Sequence, residues 1–115
     1  MRLSYAIVFV SDMKRAVAFY RDVVGLPLRF ESPGWTEFAT EGATLALHLQ
    51  TEGEPPGRCR PGLNMPNLDE FHRKMIEHQV RCVQPPKETF GTRIAQYLDS
   101  DGLEFSVAEE RSGSR

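Results

Sequence analysis

This sequence predicts an α+β fold built from two β-α-β-β-β modules, on three observations. Apolar, strand-like runs and amphipathic helices follow one another in the same order twice. The two helix starts, Asp12 and Asn67, lie 55 residues apart, and a repeat at such a period is an organisational signal in its own right. The composition, finally, is that of a globular chain: 40% of its 115 residues are hydrophobic, enough for a core and too many for a disordered segment. Fourteen basic and sixteen acidic residues give a net charge of −2 with the signs mixed, so the basic footprint of a nucleic-acid binder is missing. No apolar run approaches the roughly 18 residues of a membrane-spanning helix. The opening stretch meets Asp12 without a small-residue cleavage site, and two cysteines are too few for a disulfide scaffold. The expectation is one cytoplasmic domain over 1–115.

Each element follows from its residues. Tyr5–Val10 is apolar and rich in β-branched residues, a buried strand. Asp12 caps a helix whose stripe is Met13, Ala16, Val17, Tyr20, Val23 and Val24; Gly25 ends it and Pro27 stops its continuation. A strand at Leu28–Glu31 precedes the turn Ser32-Pro33-Gly34. Trp35–Thr40 and Ala43–Gln50 flank Glu41-Gly42 as a hairpin, with Trp35 opposite His48, Glu37 opposite Ala46 and Phe38 opposite Leu45. Alternation then gathers Trp35, Glu37, Ala46 and His48 on one face, and Phe38, Leu45 and Leu47 on the core face. Module one covers about 1–51, and 51–59 reads as a linker.

Module two, about 60–110, repeats the order. A strand near Arg60–Met65 leads to Asn67, with Glu70 three positions on as in a capping box. Leu68, Phe71, Met75 and Ile76 make the helix stripe. There follow a strand near Arg81–Val83, a Pro85–Gly91 loop long enough to act as a flap, a strand at Thr92–Leu98, the turn Asp99-Ser100-Asp101-Gly102 and a strand at Leu103–Ala108. Residues 111–115 are a polar tail.

Three stretches resemble the vicinal oxygen chelate superfamily of glyoxalases, bleomycin-resistance proteins and dioxygenases. They are the run from Tyr5 to Leu26, with its Asp12-Met13-Lys14-Arg15-Ala16 start and Phe19-Tyr20 pair, the start Asn67-Leu-Asp-Glu-Phe71, and the turn Tyr97-Leu-Asp-Ser-Asp-Gly102, with Ser100 where proline is usual. The resemblance implies modules curled into one mixed-sheet cup, helices outside and a small molecule inside, commonly as a homodimer. It also marks four cup positions that hold metal in the metalloenzyme members. Here they are Tyr5 and Arg60, each seven residues before its helix cap, His48, and Ser106, four residues after Gly102. Only His48 is a good ligand, and Arg60 would repel a cation. No metal and no cofactor are expected.

The candidate site follows. His48 and Glu37 are the candidate catalytic pair, Glu37 lying diagonally across the hairpin. Tyr5, Phe9, Trp35, Arg60, Asn64, Gln96, Glu104 and Ser106 are the candidate ligand-binding residues. Aromatics at such positions complete a core more often than they stack on a ligand. Arg60 needs either a protein carboxylate, Glu37 or Glu104, or an acidic ligand. Cys59 and Cys82 read as structural. Three functions fit: a metal-free binder of an organic small molecule, a metal-independent lyase or isomerase with His48 as base, and a metal-dependent lyase or transferase. No nucleic-acid or membrane partner is expected.

Overall fold

The computed structural model describes residues 1–110; the polar tail at 111–115 lies outside the described residues. It divides into two compact units, Ser4–Cys59 and a second made of Met1–Leu3 with the chain from Arg60 onward. No helix is long and apolar enough to cross a membrane.

Module one is made of β1 (Arg2–Val10), α1 (Met13–Ala18), β2 (Leu28–Glu31), β3 (Trp35–Phe38) and β4 (Thr44–Leu49). Asp12 caps α1 by accepting from the Arg15 N–H. The helical stripe does not continue as an α-helix: Phe19–Val24 is wound as a π-helix, which Gly25 ends at φ 91°. Strands β2, β3 and β4 run antiparallel in turn, and β4 pairs with β1 in parallel. The expected pairings Trp35 with His48, Glu37 with Ala46 and Phe38 with Leu45 are all present. The hairpin connection is wider than the two residues expected. The ladder stops at Phe38–Leu45, and Thr40 closes the loop by donating from its hydroxyl to the Ala43 carbonyl.

Alternation sorts the two faces of this sheet. Phe38 and Leu47, both fully buried, pack with Met13 and Val17 of α1. Complete burial of each such side chain contributes about 1.5–3 kcal/mol. The other face carries Ile7, Phe9 and Ala46, with Tyr5 and Trp35 packed against them. The segment expected as a plain linker is pinned here as well. The Phe9 N–H donates to the Arg58 carbonyl at 2.9 Å, Gly57 N–H donates to the Phe9 carbonyl at 3.0 Å, and Glu54 is buried beside Arg58.

Module two is made of β5 (Cys59–Met65), α2 (Leu68–Glu77), β6 (Cys82–Thr89), β7 (Thr92–Leu98) and β8 (Glu104–Glu109). It repeats module one's pairing: β6, β7 and β8 are antiparallel neighbours and β8 pairs with β5 in parallel. Asn67 caps α2 by accepting from the Glu70 N–H. The Leu68 N–H donates to Glu109, whose carboxylate also meets Arg93. Leu68, Tyr97, Val107, Ala95 and Met65 form the core, with Phe71, Met75 and Cys82 against it. Ile76, expected on the helix stripe, is instead 53% exposed.

The Pro85–Gly91 segment is not a flap. It is the second half of β6, and Phe90 (φ 51°) and Gly91 (φ 80°) turn directly into β7. Proline has no N–H to give a ladder, but β6 is an edge strand whose register slips between Gln84 and Lys87, and both features accommodate it.

Candidate functional site

Module one brings Tyr5, Phe9, Trp35, Glu37 and His48 onto one face of its sheet. Trp35 and His48 are cross-strand partners, and His48 pairs in turn with Phe9 on β1. The His48 ring lies 4.9 Å from Phe9 and 5.9 Å, edge to face, from Trp35. Phe9 is only 1% exposed. Expected to line the site, it is instead a floor residue that supports the imidazole.

The Nδ1–H of His48 donates to the Leu49 carbonyl at 2.7 Å. A carbonyl can only accept, so in the neutral ring the lone pair sits on Nε2. The expected Glu37–His48 pairing gives way to a different network. Trp35 Nε1–H donates to Glu37 Oε2 at 2.8 Å, Tyr5 donates to the same oxygen at 3.4 Å, and Arg29 Nη2 meets Oε1 at 3.4 Å. Burial, and then the charge of Glu37, push the Tyr5 phenol above its ordinary pKa. Tyr5 therefore serves as a neutral donor.

Arg29 was not among the residues expected here. Strict alternation in Leu28-Arg29-Phe30-Glu31 turns it away from Phe30, and no glycine or proline signals otherwise. The ladder is irregular, however: Leu28 pairs with Phe38 and Phe30 with Glu37, so Arg29 is the extra residue of a bulge.

In module two Arg60 is met by Glu104 at 3.0 Å, with both side chains 16% exposed. Of the two carboxylates considered for Arg60, the structure pairs it with Glu104. Gln96 stands opposite Ser106 on β7 and β8, and Asn64 opposite Ala108 on β5 and β8. These amides and the hydroxyl are neutral hydrogen-bonding groups of the same module. Cys82 packs in the core, where burial raises its thiol pKa; Cys59 is exposed.

The donor set does not fit the metal site the fold suggests. Tyr5 is a protonated phenol, Arg60 a cation already engaged by Glu104, Ser106 a hydroxyl, and only His48 offers a ligand nitrogen. Among the described residues no three His, Cys, Asp or Glu side chains gather as they do around an ion.

Two β-α-β-β-β modules with the same strand order, each with one face against its helix and the other bearing polar and aromatic groups, define a class of α+β proteins. The chain belongs to the Glyoxalase/Bleomycin resistance protein/Dioxygenase superfamily, which it matches over residues 2–107. Its fold is shared by methylmalonyl-CoA epimerase from Mycobacterium tuberculosis (TM-score 0.78, 20% identity, 96% of this chain and 88% of that one). It is also shared by a protein described as an NAD-dependent benzaldehyde dehydrogenase from Legionella pneumophila (TM-score 0.75, 18% identity, 93% and 98%). A superfamily member from Vibrio splendidus 12B01 is similar too (TM-score 0.71, 15% identity, 95% and 98%). At these identities the likeness concerns the fold. A comparison with curated proteins found no match.

Proposed function

We propose that this protein binds a small, flat organic molecule on the Trp35–His48 face of module one, without a resident metal. The observation that carries the reading is the state of His48. Its Nδ1–H is committed to Leu49, its ring is set by Phe9 and Trp35, and Nε2 remains as an acceptor. A hydroxyl or N–H of the ligand meets that nitrogen, and the indole of Trp35 supplies stacking area. The reading includes a cytoplasmic setting and a pair of identical chains; a sedimenting mass of one chain would remove the second part.

The test is a small-molecule screen by thermal shift, followed by titration of the hits into wild type and His48→Gln. A lost hydrogen bond weakens binding about 2- to 10-fold. Equal affinity for both proteins overturns the reading.

The same tautomer supports a second reading, a metal-independent lyase or isomerase in which Nε2 takes a proton from carbon beside a carbonyl. The Leu49 carbonyl, rather than Glu37, then orients the base. Deuterium uptake from heavy water into a bound ketone, abolished in His48→Gln, separates an enzyme from a binder.

A further inference from the structure

We infer that Arg29 reads an anionic group of the ligand, and that the ligand is a flat organic carboxylate. The inference deepens the binding reading above and rests on it. Between Leu28–Phe38 and Phe30–Glu37 the β2 strand advances two residues while β3 advances one. Arg29 and Phe30 therefore both stand against Glu37, and the bulge turns an arginine that alternation would send elsewhere onto the face of Trp35 and His48. Bulges are used in this way beside binding sites to re-aim a side chain.

The contacts of Arg29 show what it offers. Both its bond to Thr44 and its ion pair with Glu37 run through Nη2. The guanidinium is thereby held in place while Nη1 and Nε keep their N–H donors, and the side chain is 47% exposed. Glu37 acts here as a positioning residue: Trp35 and Tyr5 draw on its other oxygen, so its hold on the cation is shared. Arg60, the other cation considered for an anion, already has a carboxylate at 3.0 Å.

Phe30, 52% exposed, stands beside Arg29, and Trp35 lies between Arg29 and His48 along the sheet. Two strand spacings and a two-residue offset separate the Arg29 and His48 backbones by about 12 Å. The guanidinium, bonded to Thr44, and the His48 ring mark two ends of that face along β4. A carboxylate meets the Nη1 and Nε donors of Arg29, and a hydroxyl or N–H donor meets His48 Nε2.

The probes are 4-hydroxybenzoate and its neutral amide, 4-hydroxybenzamide, titrated by NMR into wild type, Arg29→Gln, Arg29→Lys and His48→Gln. Wild type is expected to prefer the acid by about tenfold or more, the margin of a charge-assisted hydrogen bond. Arg29→Gln erases the preference by weakening the acid alone, Arg29→Lys restores part of it, and His48→Gln weakens both probes. Equal binding of acid and amide to wild type, or an unchanged preference in Arg29→Gln, overturns the inference, and so does failure of both probes to bind. If His48→Gln still weakens the binding of any ligand, the underlying reading stands without this ligand class; if it weakens none, that reading fails separately.

Discussion

The two modules share strand order, helix placement and capping chemistry, yet they use the sheet face away from their helices differently. In module two a cation meets an anion: Arg60 and Glu104 stand 3.0 Å apart, both largely buried. In module one the part-buried carboxylate of Glu37 is met mainly by neutral donors, Trp35 and Tyr5, with Arg29 half-exposed and a histidine whose Nδ1–H is held by a backbone carbonyl. In module one the cation paired with Glu37, Arg29, is 47% exposed, and His48 gives its Nδ1–H to the backbone. A duplicated scaffold thus keeps its core face and lets the opposite faces diverge, because the core face is constrained by packing and the other only by polar satisfaction.

The sharpest way to break this comparison is to neutralise each carboxylate in turn. Glu104→Gln leaves the largely buried Arg60 without its carboxylate and is expected to cost about 1–3 kcal/mol. Adding Arg60→Met recovers part of that loss by removing the largely buried cation. Glu37→Gln is expected to cost less than about 1 kcal/mol, since an amide oxygen still accepts from Trp35 and Tyr5 and the Arg29 pair is partly exposed. Urea unfolding of the three proteins decides it. If Glu37→Gln proves the costlier change, the two faces do not differ in the way described.

Much of this arrangement was legible in the sequence. The hairpin register of Trp35 with His48 and Phe38 with Leu45 came from period-two alternation, which one buried face enforces. Asp12 and Asn67 announced their caps through side chains that accept backbone N–H bonds. The sharing of a face by Trp35, Glu37 and His48 was legible for the same reason as the register. Their pairing was not. Alternation assigns a side chain to a face, whereas the choice of Glu37 among Trp35, Tyr5, Arg29 and His48 depends on side-chain reach and on a bulge without sequence signature. Pro85-Pro86 likewise read as a loop, because tolerance of proline depends on β6 being an edge strand, a property of tertiary structure. The π-helical winding of Phe19–Val24 is also invisible in a stripe that fits an α-helix.

A middle-sized effect concerns the core faces that the modules have in common. Tyr97 is fully buried against Phe71 and Phe105, and its hydroxyl is hydrogen-bonded with His72 Nδ1 at 2.9 Å. Burial, and then Cys82, push its pKa from 10.0 to about 12. The folded value lies above the unfolded one, so the neutral phenol contributes stability below about pH 10 that is lost as pH rises towards 12. Tyr97→Phe is expected to cost about 1 kcal/mol at neutral pH through the lost hydrogen bond, and to be the flatter of the two in alkali. Urea midpoints from neutral to strongly alkaline pH test this; parallel curves for the two proteins overturn it. Module one carries Phe38 and Leu47 at the corresponding strands, and its tyrosine on that face, Tyr20, comes from the helical segment and packs on Phe38 at 5.9 Å.

The smallest effect separates the modules at a turn. Asp99 accepts from the backbone N–H groups of Leu103 and Asp101, each at 2.9 Å, and Gly102 completes the turn at φ 87°. Those bonds, Leu103's first, hold the carboxyl below its ordinary value of 3.8. The folded pKa is thus below the unfolded one. The stability it contributes is fully present above about pH 4 and is lost as pH falls through the folded value. The hairpin turn of module one has no carboxylate in that role; Thr40 accepts from the Gly42 N–H instead. Asp99→Asn keeps an accepting oxygen but removes the titration. Its melting temperature is expected to lie slightly below wild type at neutral pH and to converge on it as pH drops below 4. A gap that stays constant through acid means the turn owes nothing to the charge of Asp99, and the contrast between the two turns is then one of shape alone.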